Sequence, residues 1–360
     1  MPDDLIPAPT EDLAPTAELS QRLAALRQSE PQLRARDAAI RLGISEAQLV
    51  ALSCGNGGEA RRLRGPFGEV LKRLPELGTV MALTRNEQCV HEKIGRFDKV
   101  SVEGRMGLVL DPDIDLRVFL WHWQIGFALV ESTREGRRHS LQFFAADGTA
   151  IHKVYLRPES DLAAFDRLVA DFLADDQSRE QAVAPRPAPE AERPDAEIDI
   201  DGLRQGWRAL QDTHDFFALL RRFEVRREQA LRLIGQEFAR PLSLDAPRRI
   251  LEQAAATALP IMIFVGSAGV IQIHTGEVHK IVEMGPWINV MDPGFNLHLR
   301  ADLVAGAHAV EKPTSDGIVT SVELFDADGG LIAMMFGKRK PGEPELQAWR
   351  DLVAGLPGRA

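Results

Sequence analysis

Residues 81–157 of this 360-residue chain, moved forward by 181 positions, fall on residues 262–338 without a gap. Met81, Gly95, Lys99, Gly104, Val109, Asp111, Pro112, Leu116 and Ser140 recur as Met262, Gly276, Lys280, Gly285, Val290, Asp292, Pro293, Leu297 and Ser321, and Phe144-x-Ala146-Asp147-Gly148 recurs as Phe325-x-Ala327-Asp328-Gly329. With Ile151 and Ile332 this makes at least fourteen identities, against about five expected by chance at average residue frequencies. The chain is one fold unit written twice, and function is expected where the copies differ.

A chain of this length exceeds the size at which single cores stop growing, which agrees with two core-bearing units. Residues 178–196, SREQAVAPRPAPEAERPDA, carry Pro, Ala and charge with almost no large apolar side chain, so they bury too little surface to offset ordering entropy. The predicted boundaries are a disordered lead over 1–18, an N-terminal repeat over 19–176, a Pro/Ala-rich linker over 177–198 and a C-terminal repeat over 199–357. A formal net charge of -10 opposes general binding to nucleic acid or anionic membrane. Cys54 and Cys89 are the only cysteines, neither in a CxxC spacing, which suits a reducing cytoplasm. The acidic, Pro-rich start lacks the pattern of a signal peptide, and no apolar run reaches the length of a membrane span.

Each copy opens with helical periodicity and then changes to short β-branched and aromatic runs. In the first copy Leu23, Leu26, Leu33, Ala38, Leu42, Ala47 and Leu49 lie among charged residues, with Gly43 as a stop between two helices. In the second, Trp207, Leu210, His214, Phe217 and Arg221 follow at steps of 3, 4, 3 and 4, which predicts all five on one helical face. Asp147-Gly148 and Asp328-Gly329 predict type I′ hairpins. Long helical connections between strands are missing, so the sheets are expected to be antiparallel. The predicted fold class is α+β, a tandem duplication in which each half is a helical segment followed by a large antiparallel sheet.

The common enzyme motifs are absent: no Walker A loop, no GxGxxG after a strand, no GxSxG and no HExxH. His274 and His279 have a metal-like spacing but lack a cluster to complete a tetrahedral site. His214 stands apart, because an imidazole on an apolar helical face is what an axial haem ligand requires. A satisfied core or interface histidine has the same pattern, so spacing alone leaves both readings open.

The stretches DLRVFLWHW (115–123), WRALQDTHDFFALLRRF (207–223), MGPWINVMDPGFNLHL (284–299) and KPTSDGIVTSVELF (312–325) resemble the HemS/HmuS/ChuS-type hemin-degrading and hemin-transport factor family, over about residues 20–356. The resemblance implies two similar halves and one haem held between helices and sheet. The family's axial histidine matches His214 and its distal arginine matches Arg117, which would be the catalytic group if the protein degrades haem. Arg117 also reads as a strand arginine paired with Asp113 or Asp115. The propionate-side residues match Arg227, Lys312 and Arg339, cations suited to carboxylates. The family's Gln-x-Tyr-x-x-Arg pattern reads here Met334, Phe336 and Arg339, so two polar contacts give way to apolar side chains that pack on a porphyrin without hydrogen-bonding a propionate.

The resemblance thus implies a cytoplasmic haem-binding protein of haem-iron uptake. Two mechanisms compete: a carrier that passes haem to a separate oxygenase, and an oxygenase-like enzyme that needs an external electron donor. The implied partners are haem, a haem oxygenase or a reductase, and the cytoplasmic side of a haem ABC transporter. The alternative is a haem-independent interaction or regulatory protein on the same scaffold.

Overall fold

The computed structural model describes residues 15–134, 136–188, 191–339 and 342–359. In chain order the first half carries α1 (Thr16–Ser29), α2 (Ala35–Leu42), α3 (Glu46–Ala51), β1 (Ala60–Leu63), α4 (Phe67–Arg73), β2 (Val80–Arg85), β3 (Cys89–Gly95), β4 (Val100–Glu103), β5 (Met106–Leu110), β6 (Asp115–Phe119), β7 (Ile125–Thr133), β8 (Gly136–Phe144), β9 (Ala150–Leu156) and α5 (Leu162–Asp171). The second half carries α6 (Ile200–Arg208), α7 (Asp215–Phe223), α8 (Arg227–Ile234), β10 (Ala239–Pro241), α9 (Ala246–Thr257), β11 (Ile261–Gly266), β12 (Val270–Gly276), β13 (Ile281–Met284), β14 (Trp287–Asp292), β15 (Phe295–Arg300), β16 (Gly306–Thr314), β17 (Gly317–Phe325), β18 (Leu331–Gly337) and α10 (Gln347–Ala354). Each half is a helical segment followed by antiparallel strands, an α+β duplication.

Strand register repeats at the spacing read from the sequence. Val80 faces Leu156 where Ile261 faces Gly337, and Val100 faces Val109 where Ile281 faces Val290. Even the irregularity is copied: pairing slips between Phe143 and Phe144 on β8, and between Leu324 and Phe325 on β17. The helices follow as well. Gly43 ends α2 at φ 70 and Glu224 ends α7 at φ 50, while α3 and α8 both start at the equivalent position, Glu46 and Arg227. Before α3, Ser45 and Gln48 form a capping box that satisfies two orphan backbone donors.

Chain contacts define two units, which do not follow the repeats throughout. Among the described residues, the first unit comprises 15–84, 94–188 and 267–271, and the second 85–93, 191–266 and 272–359. Each thus includes one short segment from the other repeat. In the first unit β1, β7, β8, β9 and β2 form an antiparallel sheet in that order, and β4, β5 and β6 form a meander. Leu141, Phe143 and Val154 of the sheet pack with Leu71, Leu74, Phe165 and Leu168 from the helices.

In the second unit the order is β10, β16, β17, β18, β11, and β3 joins β15, β14 and β13. One face of the five-stranded sheet, through Ala307, Val322, Leu324, Met335 and Ile263, packs on Ile250, Leu251, Trp349 and Val353 of α9 and α10. Full burial of each large apolar side chain contributes about 1.5–3 kcal/mol, and Trp349 is 0% exposed. The opposite face meets α6, α7 and α8 at Val310 and Phe325.

Two expectations change. The Asp-Gly hairpins form, but positive φ occurs only at Gly148 and Gly329, so neither is a type I′ turn. The Gly148 N–H donates to Ala145, and the Asp147 side chain accepts from the Thr149 N–H instead. The first helix begins at Thr16, so three residues of the predicted lead, Thr16 to Glu18, are helical, and residues 1–14 lie outside the described residues. No helix among the described residues is long and apolar enough to cross a membrane.

Candidate functional site

The five residues from Trp207 to Arg221 do not share one helical face. α6 stops at Arg208 and α7 starts at Asp215, with His214 at its N-cap. The physical cause is Asp212, whose Oδ1 accepts the His214 backbone N–H at 2.8 Å while its carbonyl accepts the N–H of Asp215. An aspartate that captures a backbone donor two residues on offers the chain a turn in place of a helix. Trp207 and Phe216 turn inward, 0% and 1% exposed, whereas Phe217 is 55% exposed.

His214 is therefore an exposed imidazole, with 90% of its side chain open to solvent, and not the buried one that periodicity predicts. Its Nδ1 lies 2.5 Å from the same Asp212 Oδ1. The His214 backbone N–H and ring hold the Asp212 carboxyl below the usual carboxylate range. A carboxylate at Nδ1 favours the tautomer with the proton there, which leaves the Nε2 lone pair for a metal or a proton. Phe217 follows three residues later, one turn along the same side of α7.

Arg227 opens α8, and Lys312 projects from β16 onto the sheet face that these helices partly cover. Both converge on Glu323 of β17, which is 0% exposed. Arg227 donates from Nε to Oε2 at 2.7 Å and from Nη2 to Oε1 at 2.9 Å. Lys312 Nζ donates to Oε1 at 2.7 Å, and Ser321 Oγ to the same oxygen at 3.1 Å. Burial works against the Glu323 charge, but Arg227 and Lys312 outweigh it and hold the carboxyl far below its ordinary range. Burial also lowers the Lys312 ammonium, and Glu323 opposes that shift. Both cations lie over the Phe216 ring, Lys312 at 4.5 Å and Arg227 at 5.0 Å from its centroid, an arrangement that adds cation–π attraction.

Met334 faces Glu323 across the β17–β18 pair and Phe336 faces Ser321, so all four share one side of the sheet. Phe264 and Met262 of β11 continue that side, with the Phe264 and Phe336 rings 5.0 Å apart. Met262, Phe264, Met334 and Phe336 are all half-buried, an apolar floor that the helices leave partly open. Met334 also touches the cations: its Sδ lies 3.1 Å from Arg227 Nη2. Arg339 is half-buried in the loop after β18. Within the second unit, Arg227, Lys312, Met334 and Phe336 are thus brought together. This arrangement can neutralise an anion and pack a flat apolar body.

Arg117 lies on β6 in the first unit, where its Nη1 donates to Asp115 Oδ1. Residues two apart on a strand share a face, which accounts for the pair. Burial pushes the Asp115 carboxyl up, and Arg117 opposes it.

Asp212, Ser321 and Glu323 escaped the sequence reading. Asp212 had a signal in the D-x-H spacing of an aspartate that turns the chain. Glu323 had none, since a glutamate between Val322 and Leu324 reads as the outward residue of an alternating strand. The equivalent positions of the first unit, 181 residues earlier, sharpen the contrast. Glu46, Glu131, Gln142 and Lys153 stand where Arg227, Lys312, Glu323 and Met334 stand, and there Lys153 pairs with Glu46.

A family model for the haemin-degrading HemS.ChuX domain matches residues 43–172 and again 224–356. The hemin transport protein HmuS of Yersinia pestis is 40% identical over 344 residues, covering 94% of this chain and 97% of that protein. The structure of holo-PhuS, a heme-binding protein from Pseudomonas aeruginosa, superposes with a TM-score of 0.93 at 48% identity, covering 96% of this chain and 100% of that one. ChuS, described as an E. coli heme oxygenase, superposes with a TM-score of 0.85 at 37% identity, covering 94% and 99%. Two copies of the matching domain span most of this sequence, and the chain belongs to the HemS.ChuX family of haemin-degrading domains.

Proposed function

We propose that this protein is a cytoplasmic haem-binding protein of haem-iron utilisation, holding one haem with His214 as the axial ligand. The observation that carries the reading is the exposed His214 imidazole with Nδ1 committed to Asp212, in the same unit as an apolar floor bordered by Arg227 and Lys312. Iron takes an imidazole nitrogen whose lone pair is free, the porphyrin needs apolar surface, and propionates need fixed cations. Met334 and Phe336 serve as packing surface, and Arg339 is a further cation for the acidic edge. Arg117 is assigned to the opposite haem face on the family motif, where it would leave Asp115 to meet the ligand.

Named relatives span transport and oxygenase activity. For this chain we favour holding and handing on, with a haem oxygenase or a haem ABC transporter as partner. The matched motifs hold no proton relay beyond Arg117. Degradation, with electrons from an external reductase, is the second reading.

Hemin added to the purified protein is expected to give a Soret band saturating at one equivalent, and His214→Ala to alter its position and weaken binding. An unchanged spectrum and affinity would refute the axial role. With ascorbate, air and catalase, persistence of the Soret band supports the carrier, and its loss with release of a bile-pigment-like product supports the enzyme.

A further inference from the structure

We infer that Glu323 is the specificity-determining residue at the anionic end of the site: a resident carboxylate that restricts Arg227 and Lys312 to one incoming negative charge, so that they hold one of haem's two propionates. This rests on the haem reading above.

Two cations face one carboxylate, and the other groups in contact, among them Ser321, Met334 and the Phe216 ring, are neutral. The cluster therefore carries one net positive charge. Glu323 and Lys312 are 0% and 4% exposed at the side chain, and Arg227 is 13% exposed. In so dry a place an unbalanced charge is costly, and one added carboxylate balances the count where two would overshoot it.

Glu323 does not step aside for a ligand, because its two oxygens accept from three side chains in four hydrogen bonds. Donors remain for one guest. A guanidinium has five N–H groups and an ammonium three. Glu323 and Met334 engage Arg227 through Nε and Nη2, leaving Nη1, and Lys312 spends one hydrogen on Glu323.

The other repeat offers an internal control. Its equivalents of Arg227 and Lys312 are Glu46 and Glu131, so the cation pair is missing there. The equivalent of Glu323 is then the neutral Gln142, whose amide donates to Ser140 at 3.1 Å. The resident carboxylate occurs with the cations it balances.

The test compares hemin, its monomethyl ester and its dimethyl ester as ligands of the full chain, by Soret titration. A ligand with one free propionate can turn over to place it between Arg227 and Lys312. The first esterification is therefore expected to change affinity by less than about threefold, and the second to weaken it at least about tenfold, the value of a lost charge-assisted hydrogen bond. In Glu323→Gln the place gains room for a second anion, and the monomethyl ester is expected to fall at least about fivefold below hemin. Equal losses at both steps in the wild type, or the wild-type profile in Glu323→Gln, would overturn the inference. If Glu323→Gln does not fold, the wild-type ester series decides alone. If hemin gives no saturating band, the haem reading fails and takes this one with it; a saturating hemin titration with equal ester losses sinks only the role of Glu323.

Discussion

Asp212→Ala tests the site at the point where structure adds most to sequence. The Asp212 carboxylate holds the His214 backbone at 2.8 Å and its Nδ1 at 2.5 Å, so removal frees both the ring tautomer and its direction. Carboxylates behind metal-ligating histidines are worth 10–100-fold in metal affinity. Here water competes, because 60% of the Asp212 side chain and 90% of His214 are exposed, which places the effect at the lower end. Hemin affinity should fall about tenfold, or about 1.4 kcal/mol. Asp212→Asn keeps an acceptor oxygen and should recover most of the loss. Stability should fall by about 0.5–1.5 kcal/mol, because the His214 backbone N–H loses its acceptor while the exposed pair itself adds little. The assay is a Soret titration of each variant beside a urea unfolding curve. If Asp212→Ala binds hemin within twofold of wild type while His214→Ala does not bind, the Nδ1 contact has no part in ligation.

Other consequences concern the frame that holds the site. Glu224 occupies the left-handed C-cap position that Gly43 fills in the other copy, at φ 50 against 70. Glu224→Gly should therefore stabilise by about 0.5–1 kcal/mol in urea unfolding, since its ion pair with Arg193 is exposed; destabilisation would show that the pair matters more than the strain. His152 and His274 are 1% and 3% exposed, and burial lowers each pKa to about 3. Both are neutral when folded and take up protons when unfolded, so stability is full above about pH 6.5 and declines as pH falls. The loss by pH 5 should be about 2 kcal/mol for each, and equal urea midpoints at pH 7.5 and 5.0 would contradict the burial. Lys153 and Glu46 form a buried pair, each 9% exposed at the side chain. Lys153→Met should cost about 3–5 kcal/mol by removing the cation buried against Glu46, and adding Glu46→Leu should restore most of the loss in thermal melts; equal melting of single and double variants would refute the pair's burial cost.

The repeat arithmetic reached far into the fold because antiparallel register tolerates no slip: one residue would turn every strand inside out. The shift of 181 therefore carried hairpins, bulges and helix ends together. Periodicity misled at Trp207–Arg221, because steps of 3 and 4 assume an unbroken helix, and one Asp212 side chain ends that assumption. The Asp-Gly pairs announced turns correctly but not their type, since Asp147 and Asp328 keep negative φ. The exchange of 85–93 and 267–271 between the units leaves no trace in the pattern, which reads the same whichever unit a strand joins. Glu323 was illegible for a related reason: alternation says which residues share a face, but only the packing of α7 and α8 makes that face dry.

Duplication makes the asymmetry of the site interpretable, because the two copies supply the same backbone with different side chains. Where α8 starts with Arg227, α3 starts with Glu46, and where β18 offers Met334, β9 offers Lys153. The first copy closes its charges internally, with Lys153 on Glu46 and Arg138 on Glu131. The second keeps one positive charge in excess and an apolar floor beside it, which is what an anionic, flat ligand needs and what a self-sufficient core avoids. Both copies interrupt the helix at this place, between α1 and α2 and between α6 and α7, but Leu33, the counterpart of His214, packs on the helical cluster of its own copy, whereas His214 faces solvent. Internally paired charge in the first copy and an excess cation in the second are therefore two outcomes of one scaffold, set by a handful of substitutions at fixed positions.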